Sequence, residues 1–150
     1  LTTAAFASGK PVPVKYTRDG DNLSPPLSWS GVPADAASLV LIVDDPDAPG
    51  GTFGHWGVFD LPRDCSGLAE GAGADAAPGG GKVAVNDFGD ARYDGPEPPR
   101  GHGTHHYHFR LAALDVARLA LPPRPSVAAV WRAARGHVLA SAEIVGTYAR

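Results

Sequence analysis

Methionine is absent from the 150 residues, cysteine occurs once, and lysine occurs only three times. Each scarcity excludes something. With Cys65 alone, no internal disulfide can form, and the residue reads as a small structural one. A chain of this length buries roughly 70% of its unfolded surface, so its stability needs neither disulfide nor structural metal. The net charge is −3, and no stripe of lysine and arginine is available to neutralise phosphates, which argues against nucleic acid as a partner. The longest apolar runs, such as Leu39 to Val43, fall far below the ~20 residues of a membrane span, so no integral membrane contact is expected. With no methionine and Leu1 first, the sequence reads as trimmed or processed. A cytoplasmic location is expected, with the periplasm or secretion after signal cleavage as the alternative. Gly-x-Ser-x-Gly and His-Glu-x-x-His patterns are missing, so neither a serine hydrolase nor a zinc protease is supported.

What the chain has in excess is glycine, 19 residues, and proline, 15 residues. Together they far exceed the roughly 12% of an average protein. Both weaken helix interiors, so a mostly helical fold is excluded. With 43% hydrophobic and 19% charged residues the chain is also not disordered. One turn-rich, mainly β domain spanning residues 1–150 remains.

Ser38 to Asp44 holds a continuous apolar run, the pattern of a strand covered on both faces. Pro46 and Pro49 stop it. A second strand runs from His55 to Asp60 and stops at Pro62. Gly71 to Gly81 reads as a surface loop. It is not a phosphate-binding P-loop, because Ala76 and Val83 stand where Gly and Ser/Thr are required. Thr104 to Asp115 is the longest strand expected. Val127, Val130, Trp131 and Ala134 predict one amphipathic helix, capped by Ser126 and terminated by Gly136. Val138 to Tyr148 reads as a helix-to-strand closing segment.

Four of the six histidines, His102, His105, His106 and His108, crowd one segment. Strand alternation separates them. His105, Tyr107, Phe109 and Leu111 share an apolar, inward face, whereas His106 and His108 face solvent or a second layer. Two histidines at i, i+2 lack a third metal ligand, so no metal and no cofactor are expected. His55 starts a strand beside a Gly-Thr-Phe-Gly turn, and Asp44, Asp45 and Asp47 flank a strand end stiffened by Pro46.

Several segments in order carry a resemblance: Asp21-Asn-Leu-Ser-Pro-Pro-Leu-Ser-Trp29, Asp45-Pro-Asp-Ala-Pro49, His55-Trp56, Asn86-Asp-Phe-Gly89, Gly95-Pro-Glu-Pro-Pro99 with Gly101, His105-His-Tyr107, Gly136-His-Val-Leu-Ala140 and Gly146-Thr-Tyr148. Together they resemble the phosphatidylethanolamine-binding protein family, in particular its bacterial Raf-kinase-inhibitor-like branch. The resemblance implies a central antiparallel sheet packed with a smaller sheet and a few peripheral helices. It also implies one anion-accepting pocket, formed here by Asp45, Asp47, His55, Pro98, His105 and Tyr107. The ligand implied is a small anion such as phosphate or phosphorylethanolamine, held by a binding module rather than an enzyme. A modulator of a protein partner, of the kinase- or protease-inhibitor kind, and a His/Asp hydrolase are the alternatives. Monomer and homodimer are both compatible. His106 departs from the family pattern, which usually has Arg there, and implies that an ion pair behind the pocket is weakened or replaced by a pH-dependent one. Asp60 stands where Asn is common.

Overall fold

The computed structural model describes residues 1–150, with seven strands and one α-helix: β1 (Leu27–Ser28), β2 (Ser38–Asp45), β3 (Phe53–Pro62), β4 (Gly67–Leu68), β5 (Lys82–Val83), β6 (His105–Leu114), α1 (Val127–Ala134) and β7 (Val138–Tyr148). Five strands form one sheet in the order β5-β3-β2-β6-β7, and β1 pairs with β4 in a small second sheet. Every pairing is antiparallel. No helix is long and apolar enough to cross a membrane.

β2 explains the architecture. Its eight residues are all buried because layers cover both of its faces. On one face Leu39, Leu41 and Val43 join Trp56, Val58, Tyr107, Phe109 and Leu111 beneath the small sheet, which contributes Leu27 and Leu68. On the other face Val40 and Ile42 meet Val127, Val130 and Ala134 of α1. Val130 is wholly enclosed, and its burial is worth about 1.5–3 kcal/mol. Ser126 Oγ accepts from the Ala129 amide at 3.1 Å, so the helix starts where the sequence places its cap.

Four details differ from the sequence reading. Val138–Tyr148 is a single strand because ten of its residues pair with β6, and it is one residue longer than β6 because the register shifts at Leu139. Gly136 lies inside a 3₁₀ turn, Arg135–His137, and does not end α1 as a left-handed cap. Residues 71–81 are not a plain surface loop but carry two 3₁₀ turns that bury Gly73 and Pro78. β3 starts at Phe53, two residues before His55, because Phe53 and Gly54 pair with Asp45 and Asp44. Asp60 has a φ of 52°, a conformation Asp and Asn tolerate, and its Oδ1 accepts from the Leu119 amide at 2.9 Å. It shapes a bulge in β3 between Leu39 and Leu41 of its partner.

Candidate functional site

The site lies where β2, β3 and β6 present one end to three loops. β2 stops at Asp45 because Pro46 cannot extend the ladder. β3 contributes Phe53 and His55, and β6 contributes His105 and Tyr107 from its inward face. A cavity of about 200 Å³ opens between them. Its floor is Asp45, His55, His105 and Tyr107, and its walls include Phe53, Phe88, Pro98 and Pro99. Exposed Glu97 stands at the mouth, paired with Arg18 at 3.1 Å. The aromatic rings pack closely: His55 lies edge-on at 5.2 Å from Tyr107 and tilted at 5.0 Å from Phe53, and Phe53 lies edge-on at 4.8 Å from Phe88. Such pairs fix ring orientation as well as adding contact energy.

Of the six residues expected in the pocket, the structure brings five to the cavity: Asp45, His55, Pro98, His105 and Tyr107. Asp47 is the correction. The turn after Pro46 carries it outward, where its carboxylate accepts from the His106 amide at 2.9 Å and the His106 ring at 2.7 Å. His106 therefore does contact a carboxylate, but on the exposed surface and not behind the cavity. Those bonds from His106 hold the Asp47 carboxyl below the usual carboxylate range.

His105 is 1% exposed, and both of its ring nitrogens are engaged. Nδ1–H donates to Asp45 at 2.6 Å, and Nε2 shares a hydrogen bond of 2.6 Å with Nδ1 of His102. Asp45 is held in turn by the Asp47 amide at 2.8 Å. His55, 4% exposed, donates Nδ1–H to the carbonyl oxygen of Asp94 at 2.7 Å. That bond fixes the tautomer, so neutral His55 carries a bare Nε2, an acceptor. Burial holds the His55 imidazole below its ordinary range, against the opposing pull of the Asp94 carbonyl and nearby carboxylates. Burial likewise pushes the Tyr107 hydroxyl up, reinforced by the charge of Asp45, so the phenol keeps its proton.

Asp94 was not singled out from the sequence, yet it organises this side of the cavity. Its carboxylate is completely buried and accepts from Asn86 Nδ2 at 2.8 Å, Asn22 Nδ2 at 2.9 Å, Arg18 at 3.1 Å and Arg92 at 3.2 Å. Burial alone would raise its pKa, but the bonds from Asn22, Asn86 and Arg92 outweigh burial and lower it. The Asp21-Asn22 and Asn86-Asp87 motifs thus have a physical reason. Asn86 also accepts from the Phe88 and Asp90 amides through Oδ1, and Asp87 accepts from the Gly54 amide at 2.7 Å. Asn86 thus shapes the turn that carries the Phe88 wall, and Asp87 ties that turn to β3. The four clustered histidines do not converge on a metal: His106 pairs with Asp47, His108 with Glu143, and no group of three or more His, Cys, Asp or Glu side chains could hold an ion.

An antiparallel two-sheet protein with one small, partly aromatic cavity at its strand ends is the class these observations define. The model of the family described as phosphatidylethanolamine-binding protein matches residues 2–149, and the chain belongs to that family. A UPF0098 protein of Methanothermobacter thermautotrophicus is 48% identical over 100% of this chain and 98% of its own length. Among solved structures, Escherichia coli YbcL, described as a new member of the mammalian PEBP family, superposes with a TM-score of 0.90 at 32% identity, covering 99% of this chain and 96% of that one. A phosphatidylethanolamine-binding protein homologue from Chlamydia trachomatis superposes with a TM-score of 0.86 at 40% identity, covering 99% of this chain and 95% of that one.

Proposed function

We propose that the cavity binds a small phosphate-bearing head group and that the protein is a binding module rather than an enzyme. The observation that carries this reading is the pairing of a polar floor with stiff apolar walls in a space of about 200 Å³. Proline and aromatic walls need little ordering on binding, which lowers its entropic cost. None of the lining residues is Ser, Thr or Cys, which leaves hydrolysis without its common nucleophiles.

The polar groups select a protonation state. Neutral His55 offers an acceptor and Asp45 offers carboxylate lone pairs, while Tyr107 offers a hydroxyl donor. A phosphate monoester carrying one P–OH satisfies this set, because its hydroxyl donates and its remaining oxygens accept. The ester loses that proton near pH 6. An ethanolamine ammonium on such an ester meets Glu97 at the mouth or Asp45 in the floor. Protonation of an imidazole adds a charge-assisted donor, roughly twice as strong as a neutral one. Both effects have the same sign.

Calorimetric titration with inorganic phosphate and with phosphorylethanolamine tests the reading and separates a free anion from a head group. Tighter binding near pH 5.5 than near pH 8 is the expected result, with loss of affinity in His105→Ala. Absence of binding at both pH values, or unchanged affinity in His105→Ala, would overturn it.

A further inference from the structure

His105 has no ring nitrogen to spare. Nδ1–H is on Asp45 and Nε2 is on His102, each at 2.6 Å. A ligand oxygen can take a hydrogen bond from His105 only after His102 leaves. His102 is exposed, lies outside the cavity lining, and sits between Gly101 and Gly103, whose φ values are +74° and +91°. A Cβ at either glycine would meet nothing within 4 Å, so packing does not demand glycine at these positions. What glycine supplies there is the left-handed backbone on both sides of His102, which other residues rarely adopt. The loop is tied by the Gly101 amide to the Arg150 carbonyl at 3.1 Å and by the His102 amide to the Pro99 carbonyl at 3.2 Å.

We propose that His102 is an intramolecular competitor for the ligand, a proton-operated latch that occupies His105 Nε2 and releases it when both imidazoles carry a proton. This rests on the head-group reading above. The proton count follows from the geometry. Asp45 keeps a proton on His105 Nδ1. If both rings are neutral, His102 Nδ1–H donates to bare His105 Nε2, and the bond holds. If one further proton enters, His105 donates through Nε2 to bare His102 Nδ1, and the bond still holds. A second added proton places N–H against N–H and a cation against a cation at 2.6 Å, and the bond cannot survive. His102, on its glycine-flanked loop, is the partner free to move. His105 Nε2–H is then turned to the cavity as a charged donor.

The charges around the pair fix which ring stays. Asp45 from β2 faces His105, and Asp47 beyond it also acts on that ring. Tyr107 and His106 lie on β6 beside it, and His55 faces Tyr107 from β3. Glu97 and Arg18 stand across the mouth, Arg100 is on the His102 loop, and Arg150 reaches the Pro98 carbonyl at 3.5 Å. Carboxylates therefore border His105, whereas the loop bearing His102 is flanked by arginines. The second proton destabilises the His102 side, and the latch opens outward.

Dimethyl phosphate tests this, because it is singly charged and has no proton to lose across the range in which histidine titrates. The wild-type protein is expected to bind it more weakly near pH 8 than near pH 5.5. His102→Ala is expected to match wild type near pH 8, where neutral His105 has a bare Nε2, and to bind about fivefold more tightly near pH 6.5, where one added proton gives His105 an Nε2–H that wild type commits to His102, the worth of one competing hydrogen bond. Equal affinity of variant and wild type near pH 6.5, with binding otherwise intact, overturns the latch and leaves the head-group reading standing. A second measurement needs no ligand. In ¹⁵N-labelled protein, a coupling between His102 Nδ1 and His105 Nε2 across their hydrogen bond is expected near pH 8 and is expected to vanish on acidification. Its absence near pH 8, or its persistence once both rings are protonated, overturns the proposal even if no oxyanion binds.

Discussion

Removing the carboxylate of Asp94 should damage the protein far more than its place in a loop implies. The side chain is completely enclosed and receives hydrogen bonds from two amides and two guanidinium groups. In Asp94→Ala, Arg18 and Arg92 keep partial access to water, since their side chains are 29% and 50% exposed. Asn86, 3% exposed, does not. Its Nδ2 retains only the Arg92 carbonyl at 2.8 Å, and Asn22 loses its sole partner for Nδ2. Stranding two donors at about 1–2 kcal/mol each, with the loss of a buried charge-assisted network, gives an expected cost of about 3–5 kcal/mol. Urea denaturation at neutral pH measures it. Asp94→Asn keeps the shape and one acceptor, and its expected cost is about 1–3 kcal/mol. The pH dependence has a defined sign. The folded pKa lies below the unfolded value, so the stabilisation is present above roughly pH 4 and disappears as pH falls through the folded value. A cost for Asp94→Ala below about 1 kcal/mol, the net worth of a single hydrogen bond, would refute the idea that the carboxylate anchors this side of the cavity.

Two further outcomes follow from single residues. His55 is buried with its pKa lowered by burial, so the unfolded chain binds a proton there more readily than the folded one; stability should decline as pH falls below roughly 6.5. His55→Asn, which can still donate to the Asp94 carbonyl, should flatten that decline in urea midpoints compared between pH 7.5 and pH 5, and an unchanged slope would remove His55 as its source. At Gly146 a Cβ would lie 2.4 Å from Val12 Cγ2 and 3.0 Å from Phe6, so Gly146→Ala must displace the N-terminal segment from β7. The expected cost is about 1–3 kcal/mol, read in thermal unfolding, and a neutral substitution would show that the segment yields freely.

The parts of the fold legible in the sequence are those with a strong period or a strong run. β2 is recognisable because both its faces are buried, and α1 because Val127, Val130 and Ala134 share a face. The inward face of β6 follows from alternation, and with it the choice of His105 and Tyr107 over their neighbours. β7 is only partly legible, for the opposite reason. Leu139 to Glu143 are exposed and rich in alanine, so local preference there gives a weak strand signal, and the first half of the strand exists because β6 pairs with it. Asp94 and Asn22 are 72 residues apart and meet only through loop packing, which no local pattern encodes. His102 escaped for a related reason: its partner lies three residues away, but the contact depends on a turn through two left-handed glycines.

The three clustered carboxylates show how the fold converts one acidic run into separate chemistries. Alternation along β2 turns Asp44 to the α1 face, where Arg110 binds it and where burial nevertheless pushes its carboxyl up. Asp45, one residue on, turns to the cavity and binds His105. Asp47, past the rigid Pro46, turns to solvent and binds His106. Only the middle pair is shielded from water, with side chains 1% and 4% exposed, against 51% and 41% for the His106–Asp47 pair. An exposed pair contributes about 0–1 kcal/mol and is screened by salt. Replacing the usual arginine by His106 therefore alters the rim more than the cavity. The pH response of the cavity has to arise from groups that water cannot screen, and those are His55, bonded to Asp94, and His105, held between Asp45 and His102.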